Sequence, residues 1–310
     1  MKKIIALVLT VALTGCQVHE QQEPVPPVER RSIGILDSGS SAQTYSSAAT
    51  ADGAAVAANL TSRYNDIRQD CGKASMPAFL CAGVMLRATL PSTQYSSWNP
   101  SPRSQTSGGV SFSYLRKDAK FASMVFLYKN GFVLAPVLAR PTGTRQIEVL
   151  CSFPIDGATD RREDPGCGPY KPRPAHSNRC QSQGITTGDQ WLANFRTNNA
   201  LCSFDVRDSM NNLGADSFYQ SIRAHNLGNF MAGQHEYIEL ILATWPQNIP
   251  RELPIEAFFY ISGGLPGAQH DQTDYFAKTG GAVVPIIKLT MPTATTDAVF
   301  TYIAADQVKR

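Results

Sequence analysis

The chain has 310 residues, 43% hydrophobic and 17% charged, with 23 Gly, 20 Pro and seven Cys, a profile that excludes collagen, coiled coil and bulk disorder. Its formal charge is +3, and without the two lysines of the leader 26 basic side chains stand against 25 acidic ones with no Lys/Arg block, so nothing favours a nucleic-acid partner. Mixed α/β and all-β folds of this length still form single domains.

Residues 1–15 read as a lipoprotein signal peptide: Lys2 and Lys3, an apolar run from Ile4 to Leu13, then small residues. The run is about half of the roughly 20 residues that a membrane-crossing helix needs. Leu13-Thr14-Gly15-Cys16 resembles the bacterial lipobox, which implies cleavage before Cys16, its diacylation, and the membrane as a partner. Gln17, where inner-membrane lipoproteins carry Asp, implies an outer-membrane destination; a plain signal peptide and a secreted product are the alternative. The other six cysteines, an even number in an exported chain, predict three disulfides, of which Cys71–Cys81 closes the shortest loop. Zinc is disfavoured, because ligating cysteines would be two to four residues apart and the nearest gap here is ten.

Residues 16–47, rich in Pro, Glu, Gln and Ser, read as a flexible tether. From Ala48 to Arg68 the spacing of Ala55, Ala58, Leu60 and Tyr64 predicts an amphipathic helix. The stretch between Pro77 and Pro91 reads as a buried strand, and Gly109 to Ala119 as a turn and a second strand. Apolar runs over 121–129 and 132–140 flank Asn130-Gly131 and predict a hairpin. Residues 147–155 read as a strand, and 156–180 as an exposed loop held by sulfur. Cap residues before Trp191, Leu192 and Phe195, and Asp216 before Phe218, Tyr219 and Ile222, predict two short helices. Four strand-length apolar runs (237–246, 253–263, 282–292, 298–304) close the chain, and this segregation of helices and strands argues for an α+β fold.

No G-x-S-x-G elbow, phosphate loop, H-E-x-x-H or G-x-G-x-x-G is present. The five histidines lack ligand spacing, and the acidic stretch Asp156 to Asp164 lacks the ligand order of a calcium loop, so no metal is expected. What remains are three pieces in order. Arg87 ends an apolar strand, where its guanidinium needs an anion. Ser111 and Ser113 put two hydroxyls on one side of a strand. Glu239 opens a very apolar strand. Structural readings compete with each: an ion pair of Arg87 with Asp70 or Asp118, ordinary strand hydroxyls, and an edge charge that discourages aggregation. Glu256 is the rival carboxylate, and Trp98, Trp245 and Tyr95 are candidates to stack on a base.

The order resembles the arginine, Ser-x-Ser, glutamate arrangement of the cholera-toxin-like mono-ADP-ribosyltransferases. Met85-Leu86-Arg87-Ala88-Thr89, Gly108-Gly109-Val110-Ser111-Phe112-Ser113, and Glu239 followed by Ile249-Pro250 and Phe258-Phe259-Tyr260 carry it. Over a longer stretch, from about Ala51, the phrases PAFLCAGVMLRAT, YSSWNPSP, VLCSFPIDGATD, CQSQGITT and ELILATWPQNI are similar to the halovibrin family of secreted, NAD-cleaving factors. The resemblance implies a catalytic domain over 48–310: two packed sheets with a cleft, extended by a disulfide-braced insertion at about 156–235. It implies that NAD is the substrate, with no separate cofactor, and that Arg87, Ser111, Ser113 and Tyr237 contact it while Glu239, Ser111 and Arg87 serve catalysis. The chemistry agrees, since nicotinamide leaves neutral and needs no general acid, while a carboxylate opposes the charge of the ribosyl cation. An arginine can grip the pyrophosphate, and a hydroxyl can fix the carboxylate's rotamer.

Arginine-modifying members of that family carry Glu, and other groups Gln, two residues before the catalytic glutamate; here that position is Tyr237. Water is therefore the expected acceptor, giving an NAD glycohydrolase. A mono-ADP-ribosyltransferase toxin acting on a host protein is one alternative, and a non-enzymatic outer-membrane lipoprotein that binds a surface partner is another. The enzyme reading requires Arg87, Ser111 and Glu239 to line one pocket, whereas separate faces favour the binding module.

Overall fold

The computed structural model describes residues 52–89, 98, 109–136, 138, 148–157, 166–167, 179–198, 201–206, 214–231, 236–243, 254–281 and 283–309. The signal peptide, Cys16 and the tether lie outside them, as do Tyr95 and Trp245.

Nine strands form one hydrogen-bonded sheet. They are β1 (Val84–Thr89), β2 (Gly109–Leu115), β3 (Asn130–Leu134), β4 (Val149–Phe153), β5 (Phe204–Asp205), β6 (Ile238–Ala243), β7 (Ile255–Tyr260), β8 (Ile286–Thr290) and β9 (Val299–Tyr302). Their order is β5-β4-β6-β2-β1-β3-β7-β8-β9, antiparallel throughout except for β7 beside β8. The four described helices are α1 (Gly53–Asn65), α2 (Gly188–Asn198), α3 (Gly214–Gly228) and α4 (Leu265–Thr279).

The α+β class agrees with the sequence reading. The expected pair of packed sheets is instead a single sheet, in which the central β1–β2 ladder is short. Between β1 and β2 the ladder covers only Val84–Leu86 against Ser113–Leu115, while β1 continues along β3 to Thr89 and β2 continues along β6 back to Gly109. The two halves of the sheet therefore part beyond Leu86.

Each face of the sheet is apolar and each is covered. On one, Phe112, Phe132, Phe258 and Ile286 pack with Phe218 and Ile222 of α3 and with Ala268 and Tyr275 of α4. On the other, Val84, Leu86, Phe259 and Leu289 pack with Val56, Leu60 and Tyr64 of α1. The local signals for α1 and α2 are ordinary caps. The Asp52 side chain accepts from the Ala54 N–H, and Thr187 and Gln190 bond each other's main-chain N–H in a capping box.

The structure differs from the sequence reading at three elements, the first being the expected strand from Pro77, which opens with a 3-10 turn at Ala78–Leu80 and becomes strand only over Val84–Thr89. Residues 121–129 form no strand, and Asn130-Gly131 is not a hairpin turn but the start of β3. Gly131 is there because β1 comes close: a Cβ on it would lie 1.9 Å from the Arg87 carbonyl oxygen. The chain also does not close on strands alone, since α4 links β7 to its parallel neighbour β8, as a parallel pair requires.

The disulfides are Cys71–Cys81, Cys151–Cys167 and Cys180–Cys202. The expected insertion is braced by two of them, yet it is no appendage. Its α2 makes a satellite core with Trp191, Leu192 and Phe204, its α3 covers the main sheet, and its β5 forms a sheet edge. Among the described residues no helix is long and apolar enough to cross a membrane, and three disulfides fit an exported protein.

Candidate functional site

Glu239 lies in the middle of the strongest part of the sheet. β6 runs between β2 and β4, so Glu239 stands directly opposite Ser113 on one side and Phe153 on the other. Such opposed residues have their Cβ atoms about 5 Å apart on one face. Ser111 shares that face on β2, and Tyr237, in the bend just before β6, packs on the same side with Leu115 and Phe121. The strand alternation that buries Val110, Phe112 and Tyr114 on one side necessarily presents Ser111, Ser113 and Leu115 on the other.

The carboxylate is 1% exposed, and Oε2 accepts the main-chain N–H of Gly157 at 2.7 Å. Gly157 belongs to the segment that leaves β4 and folds back over the sheet. From the same segment Asp156 accepts the Tyr237 hydroxyl, which also bonds Ser111. Tyr237 packs its ring against Phe121 and is 3% exposed. Burial first, then the Glu239 and Asp156 carboxylates, hold its phenol well above the ordinary tyrosine range, so it stays protonated and donates. The cluster is thus the Glu239 carboxylate with two serine hydroxyls and a neutral phenol beside it, roofed by residues 156–157, of which Asp156 brings a second carboxylate. Ser113 is 3% exposed, and Ser111 is half-buried.

Arg87 is close in the chain fold but turned the other way. On β1, Val84, Leu86 and Ala88 belong to the core under α1, so Met85 and Arg87 face the side of Phe112 and Phe132. Its guanidinium carbon stands 6.0 Å from the Phe112 ring centroid, and Nη1 donates to the Ser111 carbonyl oxygen at 2.5 Å, just beyond the last β1–β2 ladder pair. The structure therefore brings Ser111, Ser113, Tyr237 and Glu239 onto one face and puts the Arg87 side chain on the opposite one, touching the group through a main-chain oxygen. The sequence pattern carries alternation within a strand but not the register between strands, which decides this.

The competing structural readings resolve unevenly. Asp118 is held by Arg116, at 2.5 Å, and Asp70 accepts the Gly72 N–H, so neither makes a described ion pair with Arg87. The rival Glu256 is the extra residue of a β-bulge opposite Val133 and Leu134, and it pairs with Arg63 of α1 at 2.5 Å. Burial raises its pKa and the Arg63 charge opposes that rise. Trp98 is fully buried, with Nε1 donating to Asp274, so it belongs to the core rather than to a stacking surface. No group of His, Cys, Asp and Glu among the described residues has the disposition of a metal site.

Sequence reasoning missed Asp156 and Gly157 as part of this cluster, because a loop's path over a sheet leaves no periodic trace. It also missed His225 of α3, which pins that loop. Nδ1 stands 2.9 Å from the Pro154 carbonyl oxygen and Nε2 2.8 Å from that of Lys120, so the neutral ring donates to one of these segments and only the imidazolium bonds both. Burial, at 2% exposure, pushes its pKa below the ordinary value, against the two carbonyls, which favour the imidazolium.

As pH falls through about 6.5 the unfolded chain takes up a proton that the folded ring resists, so stability present above that pH is lost below it, by at most about 1.4 kcal/mol per pH unit. Urea midpoints at descending pH should show this slope in the parent and a flatter one in His225→Gln. Equal slopes would mean that other groups set the acid sensitivity.

No family model matches the chain, and no curated protein is similar enough to register as a match.

Proposed function

We propose that the protein is an exported NAD glycohydrolase, a halovibrin-like member of the ADP-ribosyltransferase superfamily, with Glu239 as the carboxylate that stabilises the ribosyl cation. One observation carries this reading: a buried carboxylate lies on one sheet face beside Ser111, Ser113 and the neutral phenol of Tyr237. In so dry a setting a single negative charge facing a developing oxocarbenium ion is worth several kcal/mol of barrier, far more than in water. The substrate is NAD itself, so no separate cofactor enters.

The bond from ribose to nicotinamide breaks with its electron pair on the ring, which departs neutral. Glu239 accepts a hydrogen bond from the ribose 2′-hydroxyl and opposes the charge on the anomeric carbon. Ser113 stands directly across the strand from Glu239, and the Gly157 N–H bonded to Oε2 fixes the carboxylate's orientation while Ser111 bonds the neighbouring Tyr237 hydroxyl. Residues 156–157 cover Glu239, so the ribose reaches it only when this segment lifts. Arg87 lies on the other face of the sheet, so the diphosphate grip expected of it is not part of this site, and the reading rests on Glu239 and its neighbours.

Water is the acceptor in this reading, because Tyr237 stands where transferases keep an acceptor-orienting Glu or Gln and its hydroxyl is engaged by Asp156 and Ser111. A host protein as acceptor is the transferase version of the same site. The chain works at the outer membrane through lipid on Cys16, or as a secreted protein. The placement of Arg87 away from the Glu239 face favours a second reading, a non-enzymatic lipoprotein module that binds a surface partner.

The test is incubation of the oxidised protein with NAD labelled in the adenylate half, with and without candidate acceptor proteins. Free nicotinamide and free ADP-ribose are expected in equal amounts. Label fixed to protein would identify a transferase, and no nicotinamide release would leave the binding module.

A further inference from the structure

Hydrolysis of a ribosyl cation needs a group beyond Glu239: an acceptor for the proton that water loses as its oxygen bonds the anomeric carbon. Glu239 is poorly placed for that task. Its carboxylate is 1% exposed and faces the cation, so a proton arriving there would cancel the stabilising charge and have no short way out to solvent.

Asp156 is the other carboxylate of the cluster. It precedes Gly157, whose N–H bonds Glu239 Oε2 at 2.7 Å, and the Tyr237 hydroxyl feels the charge of both acids, so the two carboxylates border one space over the β2–β6 face. Asp156 is half-buried where Glu239 is closed off, which gives a proton a route to bulk water. Tyr237 fixes its position. A phenol has one proton to donate and an ionised carboxylate can only accept, so the Tyr237 hydroxyl donates to Asp156 and accepts from Ser111. The tyrosine is itself anchored, 3% exposed and with its ring 5.8 Å from that of Phe121 between centroids.

Two restraints hold Asp156 in place when a ribose enters. Oε2 of Glu239 exchanges the Gly157 N–H for the 2′-hydroxyl, one donor for another, while the bond from Tyr237 to the preceding residue need not break. The Cys151–Cys167 disulfide joins the strand before Asp156 to the chain beyond it, with the two Cα atoms 6.1 Å apart, and so limits how far the segment rises.

We propose that Asp156 is the base of the hydrolytic step, an inference that rests on the NAD-cleaving reading of Glu239. The bond from the anomeric carbon to nicotinamide breaks with its electron pair on the ring nitrogen. A lone pair of water then forms the new carbon–oxygen bond, and the proton water loses passes to the Asp156 carboxylate and on to solvent. The cation is so electrophilic that a weak base suffices, and a carboxylate held by a phenol is one.

Labelled nicotinamide, added with NAD to the full oxidised chain, separates the two steps. The cation can recombine with nicotinamide and return labelled NAD, and the ring nitrogen has no proton to lose, so this exchange needs Glu239 but no base. ADP-ribose formation needs both. Asp156→Asn is expected to lower the ratio of ADP-ribose formed to label exchanged by about 10²-fold, whereas Glu239→Gln lowers both rates together. Tyr237→Phe keeps the ring against Phe121 and removes the hydroxyl that holds Asp156; a ratio about tenfold lower is expected, which covers the case of a poorly folding Asp156 variant. An unchanged ratio in either variant, whether both rates persist or both fall together, overturns the assignment of Asp156 and leaves the NAD-cleaving reading standing. A parent that neither exchanges nor hydrolyses NAD overturns both.

Discussion

Glu239→Gln is expected to keep the fold and the affinity for NAD while cutting NAD turnover by about 10²- to 10³-fold. The amide has the shape of the carboxylate, and its carbonyl oxygen can still accept the Gly157 N–H that now bonds Oε2 at 2.7 Å. Ser113 and Phe153 on either side need not move. What disappears is the charge, which matters little to a ground-state dinucleotide and greatly to the ribosyl cation. The prediction is therefore a fall in kcat with little change in NAD dissociation constant, read from nicotinamide release and from calorimetry on the same samples. Turnover within a few-fold of the parent would remove Glu239 from the chemistry. Glu256→Gln is the matched control: its partner is Arg63, so its expected cost is in stability rather than in turnover.

Phe218→Ala is expected to destabilise the protein by about 3–5 kcal/mol. Phe218 is fully buried, with Phe79 and Tyr114 edge-on to it at centroid distances of 5.0 and 5.1 Å. Truncation leaves a cavity between α3 and the sheet and abolishes both edge-on ring pairs, whose attraction exceeds that of the apolar area alone. Urea unfolding of parent and variant measures it. A loss below about 1 kcal/mol would mean that α3 rests on the sheet without being part of its core. The result bears on the candidate site because α3 also carries His225, whose ring nitrogens meet carbonyls of the segments after β2 and β4.

The fold was legible where one residue type dominates each face. The run from Ile238 to Ala243 is buried along almost its whole length and reads as an interior strand, and the Thr187/Gln190 capping box announces α2. α4 was illegible because its buried face is Ala268, Asp271, Gln272, Tyr275 and Thr279, mostly polar residues satisfied by specific partners, so no apolar stripe marks it. Its punctuation, Pro266 at the start and Gly280 in a left-handed C-cap, was in plain view and outweighed by the surrounding strand pattern.

For the site, Ser111, Ser113 and Glu239 sharing a face follows from strand alternation plus one pairing register. Arg87 shows the limit of that logic: that it lies in a strand was legible, although the strand is shorter than the apolar run, yet facing is a property of two strands together. Gly157 reaches Glu239 across 82 positions of sequence, a contact only the folded chain contains.

The narrow join between β1 and β2 has a mechanical consequence. Three ladder pairs and one guanidinium clasp cross it, as few pairs as join β7 to β8, yet the Phe112 and Phe132 rings meet over it at a centroid distance of 5.8 Å. Side-chain packing, more than main-chain pairing, therefore holds the two halves together: Phe112 packs with Phe132 and Phe258 in one core, and Leu115 with Val84 and Leu86 in the other.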